Sequence, residues 1–89
     1  MIKSYTKLPI PVKAVQWNGT KESLEDVMEL AHGEYQVMVT NDSPRMLLIE
    51  TLEGWHKTKL GDYVIQGIEG EIYAHDLRIF EKAYVIDNG

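Results

Sequence analysis

Residues 46–75, MLLIETLEGWHKTKLGDYVIQGIEGEIYAH, decide the fold. Short strand-forming runs recur there, and each is closed by a glycine-bearing turn. Met46–Thr51 ends at Glu53–Gly54, Trp55–Lys59 at Gly61–Asp62, and Tyr63–Gln66 at Ile68–Gly70, before Glu71–His75. Strands this short and this regularly spaced predict a meander or small barrel-like sheet. Upstream, Tyr35–Thr40 faces Met46–Thr51 across Asn41–Pro44, whose side chains favour turns. That pair predicts a hairpin.

Moving outward, Val12–Trp17 reads as a further strand. Alternation puts Val15 and Trp17 on one face with Lys13, and Val12, Ala14 and Gln16 on the other. Pro9 and Pro11 bracket Ile10 and exclude both a helix and a central strand there. Asn18–Gly19 turns the chain into the one clear helix, residues 20–32. Thr20 or Ser23 can cap it, and Glu22, Glu25 and Asp26 suit its positive end. Leu24, Val27, Met28 and Ala31 form its apolar stripe, and Gly33 is the expected left-handed stop. In the tail, Asp76–Lys82 predicts a helical turn with Leu77 and Phe80 on one side, and Ala83–Ile86 a closing strand. The fold class expected is therefore α+β. It is a small antiparallel sheet or partly open barrel of about five to seven short strands with one amphipathic helix, in a single domain spanning 1–89.

Composition narrows the functions. The chain has 89 residues, no cysteine, and 14 acidic against 9 basic side chains, for a net charge of −5. Disulfides, a thiol nucleophile and cysteine-ligated metals are excluded. An extended nucleic-acid track is disfavoured, since it needs a basic face. Charge is uneven: residues 1–20 carry Lys3, Lys7 and Lys13 and no acid, whereas residues 21–34 carry a net −4. This could make a complementary contact between subunits or a local anion site; the plain alternative is a solvated surface with a lysine-guarded edge strand. Met1–Lys7 is polar, and the longest apolar run, Met46–Ile49, is far short of a membrane span. A cytoplasmic protein that meets no membrane is expected. A core this thin also favours a homo-oligomer, a dimer or tetramer.

No catalytic constellation stands out. His32, His56 and His75 lack metal-ligand spacing. Ser4, Ser23 and Ser43 fit an edge, a cap and a turn, and no nucleophile elbow surrounds them. Glu69 and Glu71 flank a turn glycine and read as a solvated loop rather than an acid–base pair. Gly67–Gly70 is neither a Walker loop nor a dinucleotide fingerprint. No enzyme activity, metal or cofactor is expected. The aromatics are the richer signal. Most serve packing, yet flat nucleobases stack on such rings at about 1–3 kcal/mol each, and cationic side chains meet phosphates. The residues expected to bind a ligand are Trp17, Trp55, Tyr63 and Tyr73 as platforms, with Lys13, Lys57 and Arg78 as cations.

Two blocks also carry a resemblance. Pro9–Trp17 and Gly61–Tyr73, followed by Phe80–Tyr84, resemble a widespread family of small phage and prophage proteins. Its members read KKPVVVEAVQW near the start and PGDWIIKGVKGEFYPCKPDIFEKTYE near the end. The likeness spans most of the chain except the middle hairpin. Leu60 stands where that pattern has proline, Tyr63 where it has tryptophan, Ala74–His75 at its Pro-Cys positions, and Leu77 in a region usually opened by Pro or Asp. The resemblance implies a phage setting. The function expected there is a counter-defence protein that binds and sequesters a cyclic-nucleotide-type immune signal without cleaving it, with a small anionic nucleotide as ligand. The alternative is a phage accessory protein that binds a host or virion protein.

Overall fold

The computed structural model describes residues 1–86, in the order β1 (Lys13–Gln16), α1 (Lys21–Ala31), β2 (Val37–Val39), β3 (Leu47–Thr51), β4 (Gly54–Thr58), β5 (Tyr63–Gln66), β6 (Ile72–His75) and α2 (Leu77–Ala83). The class is α+β, as expected. The strands do not close into a barrel. They form two antiparallel sheets of three, ordered β1-β5-β6 and β2-β3-β4. The amide of Leu52 donates to the Ile72 carbonyl at 3.1 Å, joining the β3–β4 turn to β6.

Alternation assigns the faces. In the second sheet Leu47, Ile49 and Thr51 are buried while Leu48 and Glu50 are half-exposed. In the first sheet Val64 lies between Val15 and Ala74 and faces inward. Both inner faces and α1 meet in one core built on Trp17, Val27, Leu30, Leu47, Val64 and Ile72, with Ile49 beside them.

Helix α1 begins as expected. The Thr20 hydroxyl accepts from the Ser23 amide at 3.1 Å and so satisfies a free first-turn donor. The buried Ser23 hydroxyl donates back to the Thr20 carbonyl at 3.0 Å. Two details differ from expectation. The buried side runs through Ser23, Val27, Leu30 and Ala31, whereas Met28 faces out. The amphipathic period fits either stripe, and contact with β1, β5 and β2 selects this one. The helix also ends one residue earlier, at His32, which takes the left-handed conformation (φ 39°) just ahead of Gly33, itself left-handed as expected (φ 78°).

Two further expectations are corrected. The tail forms a second helix, α2, rather than a single turn, because the Asp76 carboxylate caps it through the Ile79 amide at 3.0 Å. Ala83–Ile86 does not form a strand: Ala83 closes α2, and Tyr84 donates its amide to Phe80 at 3.0 Å. Residues 87–89 lie outside the described part.

Asp62 locks this arrangement. Its buried carboxylate accepts from the Lys59 amide and the Leu77 amide, both at 3.1 Å, and its carbonyl accepts from Trp17 at 2.8 Å. One residue therefore ties the β4–β5 turn, the end of β1 and the start of α2. Gly61 makes this possible, since its φ of +93° turns the chain where a side chain would be strained.

Candidate functional site

The outward face of the first sheet is the one that α2 and the Lys7–Pro11 segment border. Ala14, Ile65 and Tyr73 lie in register there, beside Gln16, Tyr63 and His75. Tyr63 meets Phe80 of α2 ring to ring, with centroids 3.7 Å apart and planes at 10°. Phe80 in turn stacks on Tyr84 at 4.9 Å and 24°. The spacing explains this: positions four apart on a helix share a face, and Tyr84 directly follows the last turn of α2. The His75 ring approaches the edge of Tyr84 at 6.5 Å.

Lys7 completes the column. Its ammonium lies 5.1 Å from the Tyr84 ring centre and donates to the Tyr84 hydroxyl at 3.3 Å. A cleft of about 890 Å³ opens between residues 7–12 and the end of α2, with Tyr63, Phe80 and Tyr84 along its wall. Among the described residues Lys7 and Glu81 are the only charged side chains lining it. A second, smaller cavity of about 360 Å³ adjoins it toward Ile65, Tyr73 and Glu71, sharing Lys7, Leu8, Ile10, Val12 and Tyr84 with the first. These volumes fall in the range of small-molecule sites, roughly 300–1,000 Å³.

Each cavity is lined by Lys7 and by one carboxylate among the described residues, Glu81 in the larger and Glu71 in the smaller. Burial pushes the Tyr73 phenol above its ordinary value, and the carboxylates of Glu71 and Glu53 add to that shift. Among the described residues Lys7 is the only cation lining either cavity, and it sits against Tyr84.

The residues expected to bind a ligand separate into distinct places. Tyr63 and Tyr73 share the outward face of the first sheet, and Tyr63 lines the larger cleft while Tyr73 lines the smaller. Trp17 is 1% exposed, and its indole N–H donates to the Arg45 carbonyl at 3.2 Å. Its ring has no free face for a base, so it is a core residue rather than a platform. Lys13 is exposed opposite Gln66, on the side of the sheet away from the cleft. Arg78 is exposed on α2 and does not line the cleft. Trp55 and Lys57 lie on the outward face of the other sheet.

Phe80, Tyr84 and Lys7 were not among the expected binding residues. Helical spacing of Phe80 and Tyr84 was the available signal, but with 83–86 read as a strand it pointed elsewhere. Nothing local marks Lys7, which reaches Tyr84 across 77 positions of sequence.

Among the described residues no group of three or more His, Asp or Glu side chains is placed to hold a metal ion, and no helix is long and apolar enough to cross a membrane. No protein-family model, curated protein or solved structure matches this chain.

Proposed function

We propose that this chain is a binding protein without catalytic activity, whose ligand is a cyclic-nucleotide-type signal held in the Tyr63–Phe80–Tyr84 cleft. In a phage setting, which the Pro9–Trp17 and Gly61–Tyr73 blocks favour, it removes an immune signal from the cytoplasm of the host without cleaving it. The observation that carries this reading is the ring column with Lys7 at its end. A nucleobase adds to such a column by stacking, and the ammonium meets a phosphate. One lining cation suits one phosphodiester charge. Several phosphates would lack partners among the described residues, since Lys13, Lys57 and Arg78 lie elsewhere, and the Glu81 and Glu71 carboxylates would repel them. A cyclic mononucleotide is therefore the preferred member of the class.

Calorimetric titration with a panel of cyclic mononucleotides and dinucleotides tests this, followed by heat denaturation and chromatography of the released ligand. Binding with intact ligand recovered supports the reading. Altered ligand makes the protein an enzyme, and absence of binding across the panel removes the nucleotide reading altogether.

A second reading is an accessory protein that binds a host or virion protein. The apolar lining of both cavities and the exposure of Ile2, Tyr5 and Leu8 favour it. Specific retention of a host or virion protein, with no nucleotide binding, would select it.

A further inference from the structure

The second sheet leaves its outward face bare. Strand register puts Met38, Leu48 and Lys57 in one row across β2, β3 and β4, and Glu50 and Trp55 in the next row across β3 and β4. Directly paired residues project on the same side, so these five side chains form one surface. Trp55 is 53% exposed and Met38 56%, and Leu52 at the adjoining turn is 61% exposed. This surface is separate from the cleft, which lies on the other sheet.

Its charges are arranged in a way that matches a copy of itself. Leu48 and Trp55 occupy one diagonal of the four-residue square formed by β3 and β4. Glu50 and Lys57, of opposite sign, occupy the other. A two-fold axis lying along the Leu48–Trp55 diagonal sets Leu48 against Leu48 and Trp55 against Trp55 of a second copy. The same axis sets each Lys57 over the other copy's Glu50, twice by symmetry, as an isologous contact requires. With strands about 4.8 Å apart and alternate residues about 6.7 Å apart, the strands of the two sheets then cross at about 70°. We propose that the outward face of β2-β3-β4 is a self-complementary interface with a second copy of this chain.

The contact rests on five side chains of three short strands, whereas a stable interface engages roughly 20–30 residues a side. The expected dimer is consequently weak and concentration-dependent. Opposite-sign contacts at such a surface decide mainly which partner is accepted.

The test uses charge reversal and mixing. Sedimentation of the wild-type chain over a concentration series should show a monomer–dimer equilibrium. Lys57→Glu places acid against acid, and Glu50→Lys places base against base, so each variant alone should dimerise about tenfold more weakly. Mixing the two variants restores opposite signs at both contacts, and native mass spectrometry should then find the mixed dimer in excess over either self-pair. Circular dichroism establishes that each variant is folded, and Lys13→Glu on the other sheet should leave dimerisation unchanged. A monomeric wild type at millimolar concentration overturns the proposal. So does a dimer indifferent to both reversals, or a mixture with no preference for the mixed pair.

Discussion

Tyr63 and Phe80 stack face to face with ring centroids 3.7 Å apart, and this contact holds α2 against the outward face of the first sheet. None of α2's residues is fully buried, so this stack and the bond from the Leu77 amide to the Asp62 carboxylate are what fasten it to the sheet. The stack is at once the wall of the cleft and the attachment of the helix that forms it.

Replacing Phe80 by alanine should therefore act on both stability and binding. A half-buried ring in an aromatic contact supports a loss of about 1–2 kcal/mol, seen as a lower urea midpoint. Tyr84→Ala should change stability less but weaken nucleotide binding at least about tenfold, consistent with loss of one stacking partner. Unchanged affinity in Tyr84→Ala would remove this ring from the site.

Asp62→Ala should be the most damaging single polar change. It leaves the Lys59 and Leu77 amides without their acceptor in a part-buried setting. Each such orphaned donor costs about 1–3 kcal/mol, so a loss of about 2–4 kcal/mol is expected. Faster hydrogen exchange at Leu77 and along α2 would show that the helix has come loose.

Thr58 presents the opposite case. It is fully buried on β4, and its hydroxyl has no hydrogen-bond partner among the described residues. Thr58→Val keeps the branched shape and removes the unsatisfied group. Stability should stay level or rise by up to about 1 kcal/mol in urea unfolding, against the usual direction for a core substitution.

Asp76 makes the start of α2 sensitive to acid. The hydrogen bond from the Ile79 amide holds its carboxyl below the ordinary 3.8. A folded-state value lower than the unfolded one means that the cap contributes fully above the unfolded value. That contribution is lost as pH falls below about 4 and through the folded value. Thermal unfolding from pH 7 to pH 3 should show Asp76→Asn losing less stability on acidification than the wild type.

Tyr73 gives the alkaline counterpart. Its phenol is raised from the ordinary 10.0 by burial and by Glu71 and Glu53, so its stabilising contribution is present below pH 10 and lost as pH rises through the folded value. In an absorbance titration of tyrosinate, Tyr73→Phe should remove a component that appears above pH 10. Glu71→Gln should move that component down.

Much of the local structure was legible before any tertiary contact was known. Thr20 and the acids after it announce α1, the glycine turns space β3 to β6, and Pro9 and Pro11 keep residues 9–11 out of a helix or central strand. Ala83–Ile86 misled because short apolar runs fit a strand or a helix end equally well. Met28 misled because an amphipathic helix can turn by one position without violating its period. The binding residues were least legible. Trp17 and Tyr63 are both aromatics in or beside strands, and only packing makes one a core residue and the other a wall of the cleft.

Local sequence was enough for the α+β class, the β2–β3 hairpin and the absence of thiol chemistry, because turn residues, periodicity and residue type act locally. Tertiary structure alone decided that the strands divide into two sheets. It likewise brought Lys7, Tyr63, Phe80 and Tyr84 into one column, and set Glu50 and Lys57 on a face of their own. Those outcomes depend on contacts between residues far apart in the chain, where closure of long loops and the competition for burial choose among arrangements that the local pattern leaves equal.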